Sequence, residues 1–245
     1  MNNVTSSLIL TTLAGLSTTL GFFIVFINGN KEKIISFFLS FAGGVMVIIS
    51  IIDLIPSSFN YLSKYYLFYQ LILIMLFIIL GIFLSNYINH FVTKYENNSL
   101  TKLGILSFVS IVLHNMPEGI ITFISSQIDF KLGLNMALAI SLHNIPEGIS
   151  IAIPLYYANK KKLWIFFIVL MAGLSEFLGA IMAYFFLMPY VTDLLMGFML
   201  ATTSGVMINI GLFSLLKEGF NYHKIIAIIG FVIGFLIMII SNFHF

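Results

Sequence analysis

The octapeptide Leu113-His114-Asn115-Met116-Pro117-Glu118-Gly119-Ile120 recurs 29 residues later as Leu142-His143-Asn144-Ile145-Pro146-Glu147-Gly148-Ile149, identical at seven of eight positions. Two apolar helices matching by chance would share Leu and Ile; these share His, Asn, Pro and Glu in order. Imidazole, amide oxygen and carboxylate together are ligands for a divalent cation. His114 and Glu118 stand four apart on one helical face, and Asn115 is three before Glu118. His114 and Asn115 diverge by about 100°. Glu118 therefore lies between two ligand directions, and Glu147 lies likewise between His143 and Asn144. Two such helices, antiparallel and facing each other, predict one position rich in His and Glu and another rich in Asn and Glu. The two glutamates bridge them, and Glu176 completes the oxygen-rich position.

These acids sit where acids are expensive. Glu118, Glu147 and Glu176 fall near the centres of apolar runs, where a charged side chain costs about 2.5–3.5 kcal/mol on insertion scales. No lysine lies at that depth to pair with them. Either the carboxyls are protonated or a cation from outside the chain supplies the charge, and the repeated ligand set favours the cation. Pro117 and Pro146 cannot donate to the carbonyls of Leu113 and Leu142, which predicts a kink and a freed carbonyl beside each histidine. Gly119 and Gly148 let neighbouring helices approach closely. Asp53, just before Pro56, lies toward the outer end of its run.

The elements that must hold these residues are membrane helices. The chain is 60% hydrophobic and only 8% charged, against about 25% charged in soluble domains. Apolar runs at about 8–27, 34–55, 67–88, 103–125, 132–156, 163–187, 191–216 and 223–241 are each long enough to cross a bilayer, for which about 20 residues suffice. The expected fold is therefore all-α, one transmembrane domain over residues 1–245 with eight helices. None of the runs alternates as a barrel strand does. The first run lacks a preceding lysine and a cleavage site, so it is expected to be retained rather than removed as a signal peptide.

All eleven basic residues are lysines at the ends of these runs. One side collects Lys31, Lys33, Lys94, Lys102, Lys160, Lys161, Lys162, Lys217 and Lys224, and the other only Lys64 and Lys131. By the positive-inside rule the crowded side is cytoplasmic, which places both termini outside and makes runs four and five an inverted pair at the midplane. A net charge of +2 with scattered lysines excludes a nucleic-acid surface, and the absence of cysteine excludes disulfides and thiolate metal sites. The longest connection, about Asn89 to Lys102, holds one histidine, His90, and is no His-rich metal collector. His90, His223 and His244 receive no role, and Thr202-Thr203-Ser204 and Asn209 are read as helix contacts.

Two His-Asn-x-Pro-Glu-Gly motifs on consecutive spans, four and five of eight, resemble the ZIP family of divalent metal transporters. Ala172-Gly173-Leu174-Ser175-Glu176 on span six resembles that family's bacterial branch. The resemblance implies a binuclear metal site. His114, Glu118, His143 and Glu147 form its first position, and Asn115, Glu118, Asn144, Glu147 and Glu176 its second. It also brings Met46, in Gly43-Gly44-Val45-Met46, near a thioether ligand of some relatives, and Asp53 near an acid at the outer entrance. It implies a homodimer in the cell (inner) membrane that takes up zinc, and also iron(II), manganese or cobalt, by alternating access, with no catalytic cofactor. No nucleotide motif is present, so the ion gradient or membrane potential is the expected drive, at about 2.3 kcal/mol per charge per 100 mV. Two other classes of protein fit the motif less well. An intramembrane metalloprotease uses His-Glu-x-x-His, whereas here Asn follows His and Glu ends the motif. A haem between His114 and His143 would be crowded by the neighbouring carboxylates and amides.

Overall fold

The computed structural model describes residues 3–242; His244 lies outside them. Among the described residues there is no strand, and eight helices are long and apolar enough to cross a membrane. They are α1 (Asn3–Phe26), α2 (Lys31–Tyr61), α3 (Leu67–Tyr95), α4 (Ser99–Ile128), α5 (Phe130–Tyr157), α6 (Lys162–Tyr190), α7 (Asp193–Tyr222) and α8 (Lys224–Ser241).

Most helices run past the apolar segments that predict them. The polar stretch expected as a loop from Asn89 to Lys102 shrinks to residues 96–98, because Asn89–Tyr95 continue α3 and Ser99 already begins α4. A polar end that projects from the hydrocarbon keeps its helical hydrogen bonds, and hydropathy does not mark it. The starts are fixed locally instead. The side chains of Asn30, Asn98, Asp129 and Thr192 accept from the backbone N–H groups of Lys33, Thr101, Lys131 and Leu195, satisfying donors the first helical turn leaves open.

Several spans depart from α-geometry inside the membrane. Residues Ser17–Phe26 of α1 wind as a 3-10 helix, and α2 widens into a π-turn at Ser50–Leu54, around Asp53 and just before Pro56. Further π-turns occupy Ala183–Leu187 of α6 and Gly211–Leu216 of α7. By contrast α4 and α5 stay helical straight through Pro117 and Pro146. The prolines leave the carbonyls of Leu113 and Leu142 without the N–H they would otherwise receive, while the helix continues on either side.

The helices sort into two sets. α1, α4, α5 and α6 pack on one another; α2, α3, α7 and α8 form the other set. The sets meet chiefly through α2 on α5, α4 on α7, and α3 on α4. Close approach within the first set rests on small residues. A Cβ on Gly15 of α1 would strike the carbonyl of Gly173 on α6, and one on Gly173 would strike that of Gly15. On the lysine-poor face, the exposed Lys64 ammonium pairs with Asp193 and ties the α2–α3 connection to the start of α7. The hydrogen bond and charge of that carboxylate raise the Lys64 pKa above the ordinary lysine value.

Candidate metal centre

The two motifs face each other on antiparallel α4 and α5, and their histidines and glutamates pair crosswise. His114 Nε2 lies 2.9 Å from Glu147 Oε1, and His143 Nε2 lies 3.4 Å from Glu118 Oε2. The pairing is between helices, although each histidine also has a glutamate one turn along its own helix. His114 and Glu118 are separated by about 6 Å along the axis at 1.5 Å per residue, so the two pairs stack along the membrane normal. His143–Glu118 is nearer the lysine-poor face and His114–Glu147 nearer the lysine-rich one. Each motif glutamate thus has an imidazole partner from the opposite motif, a possibility that a search for lysines alone passes over, whereas Glu176 has only the Asn144 amide.

The other motif residues dock the neighbouring helices. Asn115 Nδ2 donates to the carbonyl of Ala172 on α6 (3.2 Å), and Asn144 Nδ2 donates to that of Ala14 on α1 (3.0 Å) and to Glu176 Oε1. A Cβ on Gly119 would collide with the backbone carbonyl of Glu176, and one on Gly148 with that of Thr18. Each motif therefore docks its Asn and Gly on flanking helices: the first on α6, and the second on α1 with a further bond from Asn144 to α6. The contribution of α1 has no chemical mark in the sequence; only its small and hydroxylic residues, Gly15, Thr18 and Gly21, hint at a buried face.

His114, Asn115, Glu118, His143, Asn144, Glu147 and Glu176 are all at most 3% exposed. Thirteen buried side-chain polar atoms among the described residues lack a hydrogen-bond partner. Seven are hydroxyls. The other six are His114 Nδ1, Asn115 Oδ1, Glu118 Oε1, Asn144 Oδ1, Glu147 Oε2 and Glu176 Oε2. Orphaned buried polar atoms are uncommon in folded proteins, and every one that is not a hydroxyl belongs to this cluster. As drawn together here, no three His, Asp or Glu side chains among the described residues converge on one metal position; the histidines and glutamates are closed on each other.

A cleft of about 420 Å³ reaches the cluster from the lysine-poor face. Asp53, Ser57, Asn60, Asn135, Glu118 and His143 are among its walls. It arrives at the His143–Glu118 pair; His114 and Glu147 do not line it. Asp53 accepts a hydrogen bond from Ser57 Oγ at 3.2 Å and stands on the cleft wall rather than in the cluster. Met46 is fully buried in the main apolar core, and none of the cluster's hydrogen bonds involves it. Asn209 bonds to Ser85 and Asn86 on α3, a helix contact as expected.

Eight apolar helices around a buried, twofold-repeated His/Asn/Glu cluster define a multi-pass membrane protein with an inverted polar centre. A family model described as ZIP Zinc transporter matches residues 98–242. The chain is also similar over nearly its whole length to proteins named Zinc transporter ZupT. One from Oceanobacillus iheyensis is 36% identical over 98% of both chains, one from Streptococcus mutans 36% over 96% of both, and one from Chlorobium luteolum 34% over 98% of both. The chain belongs to the ZIP zinc transporter family.

Proposed function

We propose that this protein is a carrier, not an enzyme, that moves zinc from outside the cell into the cytoplasm by alternating access. The observation that carries the reading is the set of six orphaned lone-pair atoms gathered from α4, α5 and α6. Dications at two adjacent positions would satisfy lone pairs that no protein donor reaches. Imidazole nitrogen with carboxylate and amide oxygen suits zinc, and also iron(II), manganese and cobalt. His114, Glu118, His143 and Glu147 make up one metal position, and Asn115, Glu118, Asn144, Glu147 and Glu176 a second, with the glutamates shared. To bind, the metal replaces the crosswise His–Glu hydrogen bonds, displacing the proton each holds.

Direction follows from the lysine distribution: the lysine-rich face is cytoplasmic, both termini are outside, and the cleft opens outward from an inner-membrane protein. The metal enters past Asp53 and meets His143–Glu118 first. The set α1, α4, α5 and α6 carries the cluster and moves against α2, α3, α7 and α8, the partition that the packing suggests. An inward-negative potential drives a dication with about 4.6 kcal/mol per 100 mV, twice the single-charge value. The family resemblance adds a homodimer.

The test is zinc uptake into proteoliposomes under an imposed inward-negative potential, with a panel of divalent metals as competitors. Accumulation above that of protein-free vesicles is expected, suppressed by iron(II), manganese or cobalt. No zinc accumulation at any potential overturns the reading.

A further inference from the structure

Helical serines usually return their hydroxyl to a carbonyl three or four residues back, and six buried ones here do so, four of them in α2, α5, α6 and α7. Ser50 bonds to Met46, Ser150 to Glu147, Ser175 to Ala172 and Ser204 to Ala201. Ser36 and Ser58 instead bond across to α7. Ser40 of α2 and Ser107 and Ser110 of α4 do neither, and only the last two share a helix with a motif. Ser107 and Ser110 are both 0% exposed, and both hydroxyls lack a partner.

Their position gives this meaning. At about 100° per residue, Ser107, Ser110, His114, Glu118, Ile121 and Ser125 fall within one narrow stripe of α4. The stripe's upper part, Glu118, Ile121 and Ser125, lines the open cleft. Its middle is the cluster. Its lower part, Ser110 about 6 Å and Ser107 about 10 Å below His114, lies toward the lysine-rich face and is sealed. A polar face that is wet above the site and buried without partners below it is half of a path with the other half shut.

We propose that Ser107 and Ser110 line the release route, serving as neutral oxygen rungs for the metal after it leaves His114 and Glu147. This rests on the transport reading and adds the way out. A dication leaving strong ligands needs oxygens or water at every step through helices packed in lipid. Hydroxyls suit that stage because they replace hydration without a charge that would trap the ion, and conduction requires sites weak enough to leave. The competing explanation is that serine is merely small enough for a tight helix contact.

The chain has no cysteine, so single-cysteine variants report access directly. S107C, S110C and, as a cleft control, S125C are reconstituted in vesicles of assigned orientation and exposed to a membrane-impermeant methanethiosulfonate from either side. S125C should react from the lysine-poor face. S107C and S110C should react from the lysine-rich face only, and their modification should cut zinc uptake about tenfold or more. In a second arm, Ser110→Leu should cut uptake similarly while zinc binding by calorimetry stays within about twofold of wild type. Labelling of S125C alone, or labelling of S107C and S110C without loss of uptake, overturns the proposal. Labelling measures access without flux, so a chain that carried no zinc would fail the transport reading in the uptake arm, and the labelling pattern would still decide the route.

Discussion

His114 of the first motif is bonded to Glu147 of the second, at 2.9 Å, and not to Glu118 one turn away on its own helix. The two copies are therefore halves of one cluster, and each half holds the acid of the other in place. Removing either acid opens the pair it belongs to and, on the proposed function, both of the metal positions it would bridge.

Glu118→Ala and Glu147→Ala should each reduce zinc uptake to the level of protein-free vesicles. Both variants should still insert and run as the same species in detergent. Uptake within about twofold of wild type in both variants would remove the glutamates from the transport path.

Asn144→Asp should alter the response to metal more than the fold. The amide now donates to Ala14 and Glu176; a carboxylate there loses both bonds and faces a second acid. The metal-free variant should melt lower than wild type, and zinc or manganese should raise its melting temperature by more than the wild-type increment, since ligand binding to the native state stabilises it. Its metal preference should also shift toward harder ions. Equal thermal increments and an unchanged preference would argue against an oxygen-rich second position.

Gly148→Ala and Gly119→Ala should destabilise through overlap with backbone rather than with a movable side chain. Overpacking of this kind costs about 1–3 kcal/mol, which in a chain of this size is a fall of roughly 2–12 °C in melting temperature. A control, Gly29→Ala, meets only the Ile34 side chain and should melt with the wild type. Thermal denaturation in detergent distinguishes them.

Asp53→Asn should raise the zinc concentration needed for half-maximal uptake and leave the maximal rate nearly unchanged, because Asp53 is on the cleft wall and outside the cluster. About fivefold is expected, corresponding to roughly 1 kcal/mol of lost attraction. A loss confined to the maximal rate would move Asp53 from the entrance to a later step.

Lys64→Met removes the Lys64–Asp193 ion pair but should not alter how uptake depends on pH. Asp193 raises the Lys64 pKa, so the contribution of the pair is complete below the ordinary lysine value and is lost only as pH rises through the raised one. Across about pH 5–8, where histidine titrates, wild type and variant should give superimposable profiles. Divergence in that window would show that Lys64 senses the histidine cluster.

The eight spans were legible because lipid imposes one simple requirement, a run of apolar residues, and the repeated octapeptide was legible because His, Asn, Pro and Glu have no business recurring at that depth. The extent of the helices was not. Asn89–Tyr95, with Asn89, His90, Thr93 and Lys94 among them, lie in a helix that extends past the apolar run, and hydropathy ends where the helix does not. The face-to-face arrangement of α4 and α5 was foreseen, but the partner of each histidine was not, since four-residue spacing serves pairing within a helix equally well. Nor was the role of Ala14, Gly15 and Thr18 of α1. A carbonyl that accepts from Asn144 belongs to the backbone of any residue, and only the fold selects which one. The π-turn at Asp53 and the 3-10 half of α1 likewise have no local sequence marker beyond Pro56.

The docking of α1 and α6 onto the two motifs has a bearing on how fast such a carrier can work. Because each Asn and Gly of the repeat is already committed to a flanking helix, the alternating access proposed above would carry the ligand cluster as a cassette, with no need to dismantle it to face the other compartment. Under that proposal turnover would be governed by friction where the two helix sets meet, at α2 on α5 and α4 on α7, so substitutions far from any ligand would tune throughput while leaving the choice of metal alone.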